Sequence, residues 1–120
     1  KLSELNVGIG PFVVGPAVQR KIGLSAMSQI AMDANSFYSA EWAKQKGLFS
    51  QVFETADELD AAILTFATNL CTYNPEAMME MKKVFWTGTE NWDRLLAERA
   101  SISGRLVLSE FTKETLKKFK

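Results

Sequence analysis

The sequence contains no histidine and one cysteine, and its charges cancel, with 14 Lys and Arg against 14 Asp and Glu in 120 residues. Without histidine, the chain cannot supply a His-containing zinc site or a Ser-His-Asp triad. The single thiol, Cys71, forms no internal disulfide, which favours a reducing compartment, and we expect the cytoplasm. Because nucleic-acid binders usually carry a basic surface, the balanced charge predicts no nucleic-acid partner.

Long apolar runs are also missing. The most apolar windows, such as residues 61–70, are interrupted by Thr and Asn and are shorter than the roughly 20 residues that a membrane-spanning helix needs. We therefore expect no membrane partner. Hydrophobic residues make up 47% of the chain and charged residues 23%, which is typical of a globular domain rather than of a disordered or fibrous protein.

The first 23 residues predict a strand, a glycine-containing turn and a helix. Apolar and polar or small residues alternate over Leu5–Ile9, which is the period of a short strand, and Gly10 with the proline after it ends the pattern. A lone strand leaves backbone groups unpaired, so we expect its sheet partners to precede Lys1 in a longer chain. Residues 12–22 then predict a helix that stops at Gly23.

Helix signals fill most of the remaining chain. Thr55 and Glu58 form a capping box, and Asn74 before Pro75 is typical of an N-cap followed by the first helical residue. We predict helices over residues 24–34, 40–46, 55–70, 75–88, 91–108 and 111–119, with an extended segment at 48–53.

Carboxylates, lysines and tyrosines are the candidate groups for proton transfer in a chain without histidine. Glu4 differs from most of them because it comes directly before an apolar segment, although an ordinary solvated glutamate is the alternative. The turn around Gly15 lacks the Gly-Lys-Ser/Thr order of a phosphate loop, and it is either a plain turn or a helix start that favours an acyl or anionic group. The lysines near the C-terminus, Lys117 among them, either meet a nucleotide phosphate or suit the negative end of a helix dipole.

Four segments of the chain resemble, in the same order, the sequence motifs of one protein family. Residues 3–23 resemble the pattern Pro-Glu-x-x-x-Gly-x-x-Pro-Gly-x-Gly-Gly-x-x-Arg-Leu-x-x-x-x-Gly, and residues 39–49 resemble Ser/Ala-Ala-x-x-Ala-x-x-x-Gly-Leu-Val. Residues 75–82 fit a Pro-x-Ala…Lys helix, and Phe111 and Phe119 have the spacing of a closing Ala-Phe-x-Glu-Lys-Arg-x-x-x-Phe helix. Together these segments resemble the enoyl-CoA hydratase/isomerase (crotonase) superfamily.

The resemblance implies an α/β subunit of which this chain is the C-terminal half, a part that would be mostly α-helical. Residues 1–53 would form the last part of a crotonase-like ββα spiral core, and residues 54–120 would form a helical region through which subunits assemble as a trimer or a dimer of trimers. The implied partners are an acyl-CoA substrate, the N-terminal half of the same subunit and further copies of the subunit. The resemblance implies no metal and no tightly bound cofactor.

Individual roles follow from the same resemblance. Glu4 would be one of two catalytic glutamates that position water and move a proton at the α and β carbons of an acyl-CoA thioester. The second carboxylate and the N–H groups of the oxyanion hole would belong to the N-terminal half, so these residues alone should be inactive. Phe12, Gly15, Phe111 and Lys117 would bind substrate.

The sequence also departs from the family pattern. Phe12 stands where a pocket glycine is common, and Glu114 and Thr115 replace the Lys-Arg pair that usually contacts the CoA of a neighbouring subunit. Lys117 and Lys118 would take over that contact. Hydration, double-bond migration and thioester hydrolysis share the scaffold and stay open as reactions. The alternative is a non-enzymatic helical oligomerisation module, which accounts for the apolar helices without any role for Glu4.

Overall fold

The computed structural model describes residues 1–118, and this part of the chain is entirely helical. A short 3-10 helix, Glu4–Val7, precedes the α-helices. These are α1 Gly15–Met32, α2 Ala40–Gln45, α3 Ala56–Leu70, α4 Pro75–Phe85, α5 Trp92–Val107 and α6 Glu110–Lys117. The prediction that this part of the subunit is mostly α is confirmed for residues 1–118, whereas the predicted β part is absent, because these residues contain no strand. The ββα spiral and the trimerisation region stay predictions.

The predicted strand Leu5–Ile9 is replaced by the 3-10 helix. Its backbone groups bond locally: the N–H of Asn6 donates to the carbonyl of Ser3 at 3.0 Å, and the N–H of Ile9 donates to the carbonyl of Glu4 at 3.0 Å. A strand would need a second strand to pair these groups, and residues 1–118 provide none. Local bonds between residues three to five positions apart satisfy these backbone groups instead.

The predicted helix starts are confirmed by their side-chain bonds. Ser39 accepts a hydrogen bond from the N–H of Trp42 at 3.1 Å, and α2 begins directly after it. Thr55 and Glu58 form both bonds of the capping box at the start of α3. Asn74 caps α4 with Pro75 as its first residue. These caps satisfy N–H groups that a helix start otherwise leaves without a partner.

The predicted stop at Gly23 is also confirmed, because this residue has φ 76° and ψ 166° and divides α1 into two helical segments. The first segment begins at Gly15 rather than at residue 12 as predicted. Residues 48–53 are non-helical but form no strand. The last helix ends at Lys117, and Phe119 of the predicted span lies outside the described residues.

The chain divides into two compact units, of which the first comprises Lys1–Ser50 and the chain from Asp93 onward. Its core is small and is formed by buried residues of α1, on both sides of Gly23, together with partly buried neighbours. The buried members are Ile22, Ala26, Met27 and Ile30, and the side chains packed on them include Val18, Tyr38, Trp42 and Leu48. The division into residues 1–53 and 54–120 that the sequence suggested stays a prediction.

The second unit, Gln51–Trp92, contains α3 and α4 and has no buried residue. Trp86 and Trp92 pack edge to face with their ring centroids 5.9 Å apart. Large apolar side chains of this unit are exposed, namely Leu59, Ile63, Leu64, Phe66, Tyr73, Met79, Met81, Val84, Phe85 and Trp86. The apolar side chains of α3 and α4 are therefore left uncovered by the residues that the structure describes.

Candidate active site

Glu4 is the first residue of the 3-10 helix, and its side chain is half-buried. Its Oε2 atom is inaccessible to solvent and has no hydrogen-bond partner among residues 1–118. Buried polar atoms are nearly always hydrogen-bonded, so an unpartnered carboxylate oxygen at this position calls for a specific explanation. Such an oxygen has the capacity to accept a hydrogen bond or a proton from a molecule that enters the site.

Hydrogen bonds hold the turn around Glu4 in place. The carbonyl of Glu4 accepts hydrogen bonds from the N–H groups of Gly8 and Ile9. The side-chain amide of Asn6 donates to the carbonyl of Ala34, beyond the end of α1, at 3.0 Å. These bonds fix where the Glu4 side chain starts.

The end of the turn lies directly against α6. Gly8 has φ 82°, a left-handed conformation that residues other than glycine rarely adopt. A methyl group on Gly8 would lie 2.5 Å from Cδ1 of Phe111 and 2.7 Å from Oγ1 of Thr112. Phe111, which is predicted to bind substrate, therefore lies next to the turn that bears Glu4, although the residue is 64% exposed.

Phe12 and Gly15 lie in the segment that connects the turn to α1. The Phe12 ring folds back on Gly10, where a methyl group would lie 2.7 Å from Cε2 of the ring. Gly15 is buried, and a methyl group there would lie 3.5 Å from Cε of Met27 and 3.8 Å from Nη1 of Arg99. Sequence reasoning missed Arg99, because nothing in the local pattern relates residue 99 to residue 15.

Lys117 lies exposed on α6, and its ammonium is 2.6 Å from Oε1 of Glu114. The structure thus joins Phe111 to the Glu4 turn and places Gly15 beside Arg99, whereas it pairs Lys117 with a neighbour on its own helix.

A separate cavity of about 240 Å³ lies in the first unit and is mainly apolar. It is lined by residues that include Leu2, Val18, Ile30, Tyr38, Trp42 and Leu48, and none of the predicted site residues is among its lining. The Tyr38 and Trp42 rings pack with their centroids 4.4 Å apart at its wall.

Tyr38 also contacts an acidic side chain, that of Asp33. Its hydroxyl donates to Oδ2 of Asp33 at 3.0 Å. Hydrogen bonds from Ser36 and then from Tyr38 hold the pKa of Asp33 below its ordinary value of 3.8. Partial burial, with the adjacent Asp33 carboxylate, raises the pKa of Tyr38 above its ordinary value.

Residues 1–118 contain neither a metal-binding cluster nor a membrane-spanning helix. No group of three or more Cys, Asp or Glu side chains is placed so that it could hold a metal ion. No helix there has the length and apolar character needed to cross a bilayer.

Comparison with known proteins gives one match that covers almost the whole chain. The model of the enoyl-CoA hydratase/isomerase family matches residues 1–119. Neither the search of curated proteins nor the search of solved structures found a match.

Proposed function

Because this chain belongs to the enoyl-CoA hydratase/isomerase family, we propose that it is part of an enzyme that acts on the α and β carbons of an acyl-CoA thioester. Glu4 is the catalytic carboxylate of this proposal. The observation that carries it is the buried Oε2 atom of Glu4, which has no hydrogen-bond partner among residues 1–118. A partner from the substrate or from the attacking water would satisfy this oxygen.

In the hydration reaction, Glu4 accepts a proton from the water whose oxygen bonds to the β carbon. The π electrons of the double bond move toward the thioester carbonyl, and the α carbon then takes a proton from the Glu4 carboxyl group, which returns to its carboxylate form. Proton transfer by a positioned carboxylate contributes about 10²- to 10⁴-fold to a rate. Double-bond migration would use the same carboxylate to move a proton between carbons.

The remaining catalytic groups belong, by the family resemblance, to a part of the subunit outside these 120 residues. They are a second carboxylate and two backbone N–H groups that stabilise the negative charge on the thioester oxygen. Such preorganised donors usually supply the largest single share of the rate enhancement. The proposal therefore requires the complete subunit for turnover, with no metal and no cofactor other than the CoA carried by the substrate.

Four residues bind the substrate in this proposal. Phe12, Gly15 and Phe111 surround the acyl group, which their apolar or compact surfaces suit. Lys117 binds a phosphate of CoA after it leaves Glu114, an exchange that costs little because exposed ion pairs contribute only about 0–1 kcal/mol.

The assembly that we propose is a homotrimer or a dimer of trimers in the cytoplasm. The exposed apolar side chains of α3 and α4 support it, because they form a surface of the kind that protein interfaces cover. The same exposure also favours the second candidate, a helical oligomerisation module without catalysis. The two differ in whether Glu4 has any task.

The test is a screen of the complete protein against enoyl-CoA thioesters of short, medium and long acyl chains. Hydration removes the conjugated double bond, so the ultraviolet absorbance of the thioester should fall with at least one of them. A folded, correctly assembled protein that leaves every thioester unchanged would leave the oligomerisation module as the better account.

A further inference from the structure

Thr112 is 0% exposed, although it is a polar residue on a helix of eight residues whose other side chains are largely accessible. Its backbone N–H donates to Oγ of Ser109 at 3.3 Å, and the Ser109 hydroxyl donates back to Oγ1 of Thr112 at 3.2 Å. The second of these bonds, together with complete burial, holds the Thr112 hydroxyl in place. The first turn of α6 therefore presents a fixed, fully buried oxygen.

That oxygen is directed at the turn that bears Glu4. Oγ1 of Thr112 would be only 2.7 Å from a methyl group on Gly8, so the two residues approach as closely as a glycine allows. The N–H of Gly8 in turn donates to the carbonyl of Glu4. Thr112 is thus two steps from Glu4, through one packing contact and one backbone hydrogen bond.

We propose that Thr112 is a positioning residue for the Glu4 carboxylate, which it acts on through Gly8. Removal of its side chain leaves space beneath Gly8, and the turn can then shift toward α6 and carry Glu4 with it. A displacement of about 1 Å in a reacting group can cost about 10²-fold in rate. The inference rests on the catalytic role proposed for Glu4.

The experiment is a double-mutant cycle in the complete protein, with Thr112→Ala, Glu4→Gln and the two combined. We expect Thr112→Ala to lower kcat by about 10- to 100-fold with KM changed by less than about threefold. In the Glu4→Gln background, Thr112→Ala should change kcat by less than about twofold, because the group that it positions has already been removed.

Two matched variants separate positioning from loss of structure. Thr112→Ser keeps the oxygen that contacts Gly8 and should retain kcat within about twofold. Thr65→Ala makes the same substitution at an exposed threonine of α3 and should leave kcat unchanged. If Thr112→Ala fails to fold, Thr112→Ser decides, since a tenfold loss of kcat in that variant would overturn the proposal.

The outcomes distinguish this proposal from the one on which it rests. Equal losses of kcat on Thr112→Ala in both backgrounds would show that Thr112 does not act through Glu4, and the positioning role would be rejected. Full activity of Glu4→Gln alone would instead reject the catalytic role of Glu4, and the positioning role with it.

Discussion

Gly8 is the residue on which the geometry of the Glu4 turn depends most directly. Two separate constraints meet there, a left-handed backbone with φ 82° and the close approach of Phe111 and Thr112. A side chain at this position would be strained by the backbone and would overlap α6 as well.

We therefore expect Gly8→Ala to destabilise the protein more than Gly88→Ala does. Gly88 has a similar φ of 85° but has nothing within 4 Å of an added methyl group, so it isolates the backbone cost. That cost is about 1–3 kcal/mol, and overlap at Gly8 should add about 1–3 kcal/mol to it. Urea unfolding of the two variants gives the comparison. Equal losses of stability would show that α6 accommodates the added methyl group without cost.

Asp33 and Tyr38 give a prediction about pH. Since hydrogen bonds hold the pKa of folded Asp33 below 3.8, its contribution to stability is complete above that pH and is lost as the pH falls through the lower folded value. Tyr38→Phe removes one of the two side-chain bonds, so the pKa of Asp33 should rise toward 3.8 while the Ser36 bond keeps it below.

Carbon NMR of the Asp33 carboxyl during an acid titration measures this shift. Tyr73→Phe removes the other tyrosine hydroxyl of the chain and should leave the Asp33 titration where it is. An unchanged Asp33 titration in Tyr38→Phe would mean that the 3.0 Å contact has no electrostatic effect.

Among the helices, local sequence signals were sufficient to predict an end wherever nearby residues determine it. Ser39, Thr55 and Asn74 act within three residues of the N–H groups that they cap, so the sequence alone locates α2, α3 and α4. Gly23 interrupts α1 for an equally local reason, its positive φ.

The prediction of a strand at Leu5–Ile9 was wrong because alternation describes the pattern of apolar side chains. It does not identify the hydrogen-bond partners of the backbone. In residues 1–118 those bonds are local, and the same apolar residues line a 3-10 turn. The candidate site shows the same limit. A motif identified Glu4. Thr112 lies near Gly8 and Arg99 lies near Gly15, and each pair is more than 80 positions apart in the chain, so no local pattern predicts these contacts.

The apolar face of α3 gives a prediction about assembly. Leu59, Ile63 and Phe66 follow helical spacing and are exposed, so in the proposed trimer they are covered by other copies of the subunit. Phe66→Glu would place a charge in that interface, where burial without a partner is costly, and should shift the protein to a smaller assembly.

Leu24→Glu is the matched control, because Leu24 is 66% exposed and Phe66 is 65% exposed, but Leu24 lies on α1. Light scattering of the complete protein at micromolar concentration should give a trimer or hexamer for the wild type and for Leu24→Glu. A wild-type monomer, or the same mass for all three proteins, would contradict the proposed interface.

For the whole molecule, family membership is established by a match over residues 1–119, whereas the reaction is a proposal that depends on one carboxylate. The proposed site is shared between these residues and the rest of the subunit. Glu4 transfers the proton, and α6 packs against the turn that positions Glu4. The N–H groups that stabilise the thioester oxygen belong to the rest of the subunit. Efficient turnover should therefore require both Glu4 and the groups outside these residues.

The most direct measurement is the turnover of an enoyl-CoA thioester by the complete protein with Glu4→Gln, which keeps the shape of the side chain and removes its capacity to take up a proton. The control is Glu98→Gln at an exposed glutamate of α5, which should leave kcat unchanged. We predict that kcat falls by about two to four orders of magnitude in Glu4→Gln, while the assembly and the unfolding temperature stay as in the wild type. Turnover by Glu4→Gln equal to that of the wild type would contradict the account.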